Sequence, residues 1–432
     1  MKEIAVGIIG VGTVGGGVVK ILQSRIPALK AAGIPMRLAR IADKATERFA
    51  TLPVGNALCT ANAADVISDP EISIVVELIG GTTFARTVVL DALNAGKHVV
   101  TANKALVAEF GPELFECAAA NGVSLYFEAA VGGGMPVIKT IREGLIGNEV
   151  LSVKTIINGT CNYILSKMSA EGLPFATVLA EAQKNGYAEA DPTLDVGGGD
   201  SGHKVAIMAS LISDGYVPYE SIAIEGITGI GPEDITSARE LGYVIKLLGV
   251  INRDSSGKPV DVRVHPAMLP ARHILASVSD VFNAVLFEGD AVGRILLYGK
   301  GAGEMPTGSA VMSDIADVAR NILSGTSIRI PMEYYSSGRK VPLLQIADII
   351  SRYYLRFTVT DHPGVLASIA SILGEEGISI ASVMQKEGYA DDSVPVIILT
   401  HKAREQGIRR ALAKIEQMES VKKNTCLIRI EE

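Results

Sequence analysis

The chain has 432 residues, 48% of them apolar, with 45 Gly, no Trp and a net charge of −7. That length exceeds one compact core and suits two or three domains, and the composition is that of a globular enzyme rather than a disordered or fibrous chain. A modest negative charge without Lys or Arg blocks excludes an electrostatic footprint for nucleic acid, and apolar runs such as 72–79 fall well below the roughly 20 residues that span a bilayer.

From residue 4 to about 131, β-branched runs alternate with amphipathic stretches. Strands are predicted over 4–10, 37–42, 74–79, 98–101 and 124–128, with helices over 85–95 and 106–121 closed by Gly96 and Gly122. This rhythm predicts an α/β, Rossmann-type parallel sheet that binds ligands at the carboxyl ends of its strands. The first ten residues carry no signal-peptide pattern, and Cys59, Cys117, Cys161 and Cys426 lie far apart, as reduced thiols would. A cytoplasmic protein with no membrane partner is expected.

Beyond Gly134 a second, α+β domain is predicted, with a strand over 151–157, two helices within 162–186, and strands over 222–227, 260–264, 284–288 and 294–298. A helix over 309–323 is expected to return to the first domain. A polar stretch, 334–340, reads as a linker. The tail, 354–432, runs strand, helix, strand, strand, helix, strand, the ferredoxin-like βαββαβ order. The expected domains are thus 1–134 with a return helix at about 305–323, 135–304 for substrate binding and dimerisation, and 354–432, a tail that folds on its own and whose removal leaves catalysis intact.

Gly10-Val11-Gly12-Thr13-Val14-Gly15 follows the first strand directly and opens a helix, the context in which this spacing binds a dinucleotide. Gly10 permits the turn, Gly12 lets the pyrophosphate approach, Gly15 allows helix and strand to pack, and Thr13 and Val14 begin the helix whose N–H groups meet phosphate. At the end of the second strand, Asp43 suits ribose hydroxyls while Arg40 and Lys44 suit a 2′-phosphate, which leaves NAD against NADP open. Thr82 and Lys104 follow later strand ends and should line the same crevice.

The segment 185–204 gathers Glu189, Asp191, Asp195, Asp200, His203 and Lys204 in a Gly- and Pro-rich loop before a buried helix, with Asp200 a candidate N-cap. Asp200 and Lys204 then share a helical face. Hydride addition to a carbonyl needs a proton donor for the developing alkoxide, and a Lys at a nearly buried site can serve, with neighbouring acids to hold a substrate ammonium.

On residues 186–192 leading through Asp195 to Asp200 and Lys204, together with 10–15, 101–104, 128–136, 158–163 and 299–303, the chain resembles homoserine dehydrogenases from residue 2 to about 323. The resemblance implies interconversion of aspartate 4-semialdehyde and homoserine with NAD(P)H in threonine, methionine and isoleucine biosynthesis. Lys204 matches the proton donor, Glu189 and Asp200 substrate-binding carboxylates, Lys104 a Lys between cofactor and substrate, Asp195 a supporting acid and Gly303 a second cofactor contact. Glu128, by side chain or backbone, with the carbonyls of Val131, Gly133 and Met135, matches a monovalent metal site, expected to hold Na+. The tail resembles an ACT domain on residues 359–366, where Asp361, Gly364, Val365 and Leu366 are the regulatory candidates. This implies an amino-acid effector, threonine first, and a homodimer or homotetramer. A cofactor-fold protein without activity is disfavoured by the intact Lys104, Glu189, Asp200 and Lys204, and a dehydrogenase of another amino-acid semialdehyde by the match over Gly186 to Lys204.

Overall fold

The structure is a computed structural model that describes residues 3–254, 258–332, 335, 338–385 and 393–432. Six strands, β1 (Ile4–Ile9), β2 (Met36–Ala42), β3 (Leu58–Thr60), β4 (Ile72–Glu77), β5 (His98–Thr101) and β6 (Leu125–Tyr126), form a parallel sheet in the order β3-β2-β1-β4-β5-β6. Every residue of β1 is buried, as a parallel strand covered on both faces requires. Val6, Ile8, Ile74 and Val76 pack on one side with helices Thr13–Ala31 and Glu304–Leu323. Ala5, Ile9, Val75 and Val99 pack on the other with helices Thr83–Asn94 and Lys104–Ala120. The expected return helix is therefore present. It crosses the first helix so closely that a Cβ on Gly17 would lie 2.3 Å from the Glu304 carbonyl oxygen.

The second sheet contains β7 (Val150–Ile156), β8 (Ala223–Ile224), β9 (Tyr243–Asn252), β10 (Asp261–Pro270), β11 (Phe282–Gly289), β12 (Gly293–Lys300), β13 (Ile350–Thr360), β14 (Ile380–Gln385), β15 (Ser393–Thr400), β16 (Ala403–Arg404) and β17 (Val421–Ile430). Its order is β12-β11-β7-β9-β10-β17-β13-β15-β14, with β8 beside β10 and β16 beside β13. Several elements escaped the sequence reading, among them β3 and the short helix Ala63–Ile67 of the first domain, and β9 and helix Pro232–Glu240 of the second. Strand β9 is a nearly unbroken apolar run without alternation, a pattern that periodicity cannot separate from a buried helix. Helix Pro232–Glu240 is polar and short. The predicted strand 222–227 shrinks to the two-residue β8, and 260–264 extends to Pro270.

The tail has the expected ferredoxin-like order, but it is not a separate body. Strand β17 pairs in parallel with β10, Ala267 opposite Arg429 and Met268 opposite Ile430, so one sheet continues through both parts. Alternation along β13 sends Tyr353, Leu355, Phe357 and Val359 into the tail's own core. Tyr354 and Arg356 point the other way and meet Asp234, a fully buried carboxylate of helix Pro232–Glu240, at 3.0 and 2.6 Å. The expected linker is likewise packed. Tyr335 is buried edge-on to Phe115, and Tyr216 N–H donates to the Arg339 carbonyl at 2.8 Å; Tyr334, Ser336 and Ser337 of that stretch lie outside the described residues. Among the described residues no helix is long and apolar enough to cross a membrane.

Candidate active site

The glycine loop has the shape its spacing predicts. Gly10 has φ +95°, and a Cβ there would meet the Leu78 carbonyl oxygen at 2.6 Å; a Cβ on Gly15 would lie 2.1 Å from the Gly10 carbonyl oxygen. At Gly12 the nearest atom to an added Cβ is Arg48 Nη1 at 3.8 Å, so the side from which a pyrophosphate approaches is open. A cleft of about 300 Å³ follows, lined by Gly10, Gly12, Asp43, Lys44, Arg48 and Phe84 among others. These residues fit a dinucleotide. The loop is braced from behind by Asp43, whose Oδ2 accepts Val11 N–H at 2.6 Å and whose Oδ1 accepts Ala45 N–H at 2.8 Å. Arg40, a predicted cofactor ligand, is instead held by Asp69 at 3.1 and 3.2 Å and does not line this cleft.

At the carboxyl ends of β4 and β5, a residue missed in the sequence organises the loops. Glu77 is fully buried and accepts Thr101 Oγ1–H at 2.6 Å and Ile79 N–H at 2.7 Å; burial pushes its carboxyl up, against these hydrogen bonds. Thr101 Oγ1 in turn accepts Asn103 N–H, and Asn103 donates to the Gly81 carbonyl at 2.6 Å while its Oδ1 caps the helix that starts at Lys104. These hydrogen bonds thereby fasten the loop that carries Thr82 to the start of the helix that carries Lys104, although neither residue lines the cleft beside the glycine loop. The only sequence signal was an acid ending an apolar strand.

Asp200 is the hub of the candidate catalytic residues. Its Oδ2 accepts Lys204 Nζ at 2.7 Å and Asn158 Nδ2 at 2.8 Å, and Lys104 Nζ stands 3.2 Å from Oδ1. Burial pushes the Asp200 carboxyl up, but the two ammonium groups and Asn158 outweigh it and hold it well below the usual carboxylate range. Lys204 also donates to the Ile157 carbonyl at 2.9 Å. An ammonium has three protons, and among the described residues the third meets no acceptor. Asp200 is not the N-cap. That position belongs to Gly198 at φ +87°, where a Cβ would touch Ile224, and Asp200 sits in the first turn of helix Gly199–Ile212.

Asn158 was quoted in the sequence only as part of a motif, yet it joins the acids. Its amide donates to Asp195 Oδ1 at 2.7 Å as well as to Asp200, while its Oδ1 caps helix Gly159–Glu171 through Cys161 N–H. Asp195 is pushed up by burial, which Asn158 partly offsets. His203 Nε2 lies 3.1 Å from Glu109 Oε1 and its ring stacks on Tyr219, which ties the Lys104 helix to the Lys204 helix. Glu189 is not drawn into this cluster. Its side chain is exposed, without a hydrogen bond or ion pair among the described residues, although Thr160 holds its loop through the Tyr187 carbonyl at 2.6 Å.

The candidate metal loop sits against the other glycine turn. A Cβ on Gly133 would lie 2.4 Å from Gly301 backbone, and Gly303 caps helix Glu304–Leu323 beside it. Both Glu128 carboxylate oxygens accept backbone N–H groups, of Ile138 at 2.8 Å and Lys139 at 2.9 Å, so the side chain serves as a helix cap. Of the candidate carbonyls, that of Met135 already accepts Val137 N–H at 2.8 Å and that of Glu128 accepts Val131 N–H at 3.3 Å; each keeps a second lone pair, and with those of Val131 and Gly133 they are oxygens of the kind a hard cation takes. Among the described residues no group of three or more His, Cys, Asp or Glu is placed to hold a metal ion.

The tail reaches the turn that carries Asp195 and Asp200 through ion pairs. Arg429, 1% exposed, contacts Glu225 at 2.7 Å and Glu405 at 2.6 Å, and Arg409 bridges the same two acids. Burial raises the Glu225 carboxyl, but these arginines win and hold it low. Directly after Glu225, a Cβ on Gly226 would meet the Val196 carbonyl oxygen at 2.2 Å, and Ile227 N–H donates to that oxygen at 2.9 Å; Val196 follows Asp195. The regulatory candidates lie apart from this network. Asp361 and Gly364 are exposed, Gly364 has φ +95° and caps helix Val365–Glu375, Val365 is half-buried and Leu366 exposed.

Family models match along the chain, homoserine dehydrogenase, NAD binding domain over residues 10–128, homoserine dehydrogenase over 136–316 and ACT domain over 353–419. The homoserine dehydrogenase of Pseudomonas aeruginosa is 46% identical, with all of both chains covered, and that of Neisseria gonorrhoeae 42%, over 100% of this chain and 99% of the relative. A crystal structure of a homoserine dehydrogenase from Thiobacillus denitrificans superposes with a TM-score of 0.93 at 43% identity, over 100% of this chain and 99% of that one. With the glycine loop, the lysine-clasped Asp200 and the ferredoxin-like tail all in place, the chain belongs to the homoserine dehydrogenases, nicotinamide-dependent oxidoreductases, and carries a C-terminal ACT domain.

Proposed function

We propose that the chain reversibly reduces L-aspartate 4-semialdehyde to L-homoserine in the cytoplasmic biosynthesis of threonine, methionine and isoleucine, and that Lys204 is the proton donor. The observation that carries this reading is the clasp of Asp200 by Lys204 and Lys104, with one Lys204 proton uncommitted. Bound NAD(P)H supplies the hydride to the aldehyde carbon. Lys204 gives a proton to the aldehyde oxygen, which becomes the hydroxyl of homoserine, and regains one from water. Asp200 stays ionised and keeps both ammonium groups in place. Glu189 and Asp195 are suited to the substrate ammonium, and Lys104, at the start of the helix that follows β5, to orienting the substrate. Carbonyls of the 128–135 loop would hold a monovalent cation, Na+ among them, away from the reacting atoms.

Regulation in this reading runs through the tail. An amino acid, threonine first, binds near the 361–366 loop, and the Arg429–Glu225 contact passes the change to the Asp195–Asp200 turn. Apolar exposure at Ile274, Val292 and Tyr298 supports self-association as a dimer or tetramer. Following NADPH and NADH absorbance with aspartate semialdehyde across a threonine series tests the whole reading. Absent turnover would sink the substrate, and turnover indifferent to threonine would sink that effector.

A further inference from the structure

The adenosine corner of the cofactor cleft assigns its charges differently from the sequence expectation. A carboxylate that takes ribose hydroxyls must present free lone pairs to the cleft. The Asp43 side chain is only 9% exposed, and each of its oxygens already accepts a backbone N–H, that of Val11 or Ala45. Over it lies the Arg48 guanidinium, 3.4 Å from Oδ2 and half-exposed. A guanidinium has five N–H donors in a fork that matches phosphate, and among the described residues Arg48 gives only this one long contact to a side chain. The position is built rather than accidental. Phe49 on the same 3₁₀ turn (Thr46–Thr51) and Leu52 directly after it pack against the first domain's core, and Arg48 N–H donates to the Ala45 carbonyl at 3.1 Å. Lys44 adds a second cation, over the Phe84 ring at 5.5 Å. Lys44, Arg48 and Asp43 together leave the corner with one net positive charge, while Arg40 is spent on Asp69.

We infer that Arg48, assisted by Lys44, receives the adenosine 2′-phosphate, so that the chain selects NADP(H) over NAD(H), and that Asp43 braces the glycine loop and Arg48 instead of reading the ribose. The inference rests on the reading of the crevice as a nicotinamide-dinucleotide site.

Fluorescence titration of the full chain with NADPH and NADH, and calorimetry with 2′,5′-ADP and 5′-AMP, test it without turnover. The wild type should bind NADPH and 2′,5′-ADP at least about tenfold more tightly than NADH and 5′-AMP. Losing charge-assisted hydrogen bonds of this kind should weaken NADPH about 10- to 100-fold in Arg48→Gln, with NADH within a few-fold, and Arg48→Lys should fall between. Arg40→Gln should leave the NADPH to NADH ratio unchanged. Equal loss of both cofactors in a folded Arg48→Gln would make Arg48 a brace only, and a selective loss in Arg40→Gln would return the role to Arg40; either overturns the inference. Tighter NADH than NADPH in the wild type overturns it as well. Failure of the wild type to bind either cofactor would instead sink the dinucleotide reading beneath it.

Discussion

Replacing Lys204 by Met separates catalysis from the architecture that supports it. The substitution removes the uncommitted proton, and a positioned proton donor contributes about 10²- to 10⁴-fold in rate. It also withdraws the 2.7 Å partner of Asp200, whose side chain is 7% exposed, but leaves Lys104 at 3.2 Å and Asn158 at 2.8 Å. Two charge-assisted hydrogen bonds are lost, to Asp200 and to the Ile157 carbonyl, while Lys104 and Asn158 still hold Asp200, so the stability cost should be about 3–6 kcal/mol. Its pH dependence has a definite sign. The native Asp200 carboxyl is held below its unfolded value, so its contribution is present near neutrality and is lost as pH falls through the native pKa. Without Lys204 that depression is smaller, and the difference in Tm between wild type and variant should be full at pH 7 and shrink below about pH 4. The assay is NADPH oxidation with aspartate semialdehyde beside a cofactor titration. Activity within a few-fold of wild type, or cofactor affinity falling in step with turnover, would refute the role given to Lys204.

Glu225→Gln leaves the catalytic residues untouched while weakening the contact from Arg429 and Arg409, so kcat should stay near wild type and inhibition by the amino-acid effector should weaken about fivefold or more; inhibition curves of the two proteins check this. Removing residues 350–432 should lower Tm and solubility rather than release a clean catalytic core, because it bares the β10 edge and takes Arg356 and Tyr354 from Asp234; a truncated chain as stable as the full one in thermal melts would contradict the continuous sheet. Lys246 is 2% exposed among Asn162, Ser166 and Val278, and burial lowers its pKa to about 8. A depressed ammonium contributes stability above its unfolded value near 10.5 that is lost as pH falls through about 8, a span worth on the order of 3 kcal/mol. Wild-type stability in urea titrations should therefore rise relative to Lys246→Met between pH 8 and 10.5, and parallel profiles would refute it.

What the chain decided by itself is local. The Gly10–Gly15 spacing works within one strand-to-helix turn, the Asp200–Lys204 pair within one helical turn, and Gly96 and Gly122 end helices by their own positive φ. Such features need only neighbours a few positions away, so periodicity and residue chemistry disclose them. The strand and helix order of the tail was legible for the same reason. Contacts between distant segments were not. Lys204 reads as an i,i+4 partner, but Asn158 reaches Asp200 across 42 positions and Asp195 across 37, and nothing near Asn158 announces either acid. Arg40 looked as suited to phosphate as any basic residue near the end of β2 until Asp69, 29 positions on, claimed it. Whether a charge faces a cleft or a partner depends on which segment the fold lays beside it. The same applies to β13, where Arg356 would pass for a solvent-facing residue of an alternating strand had the tertiary structure not set Asp234 against it, and to Arg429, which finds Glu225 across 204 positions. Burial makes each of these pairings costly to leave unmade, and only the three-dimensional packing could say which charges would be buried together.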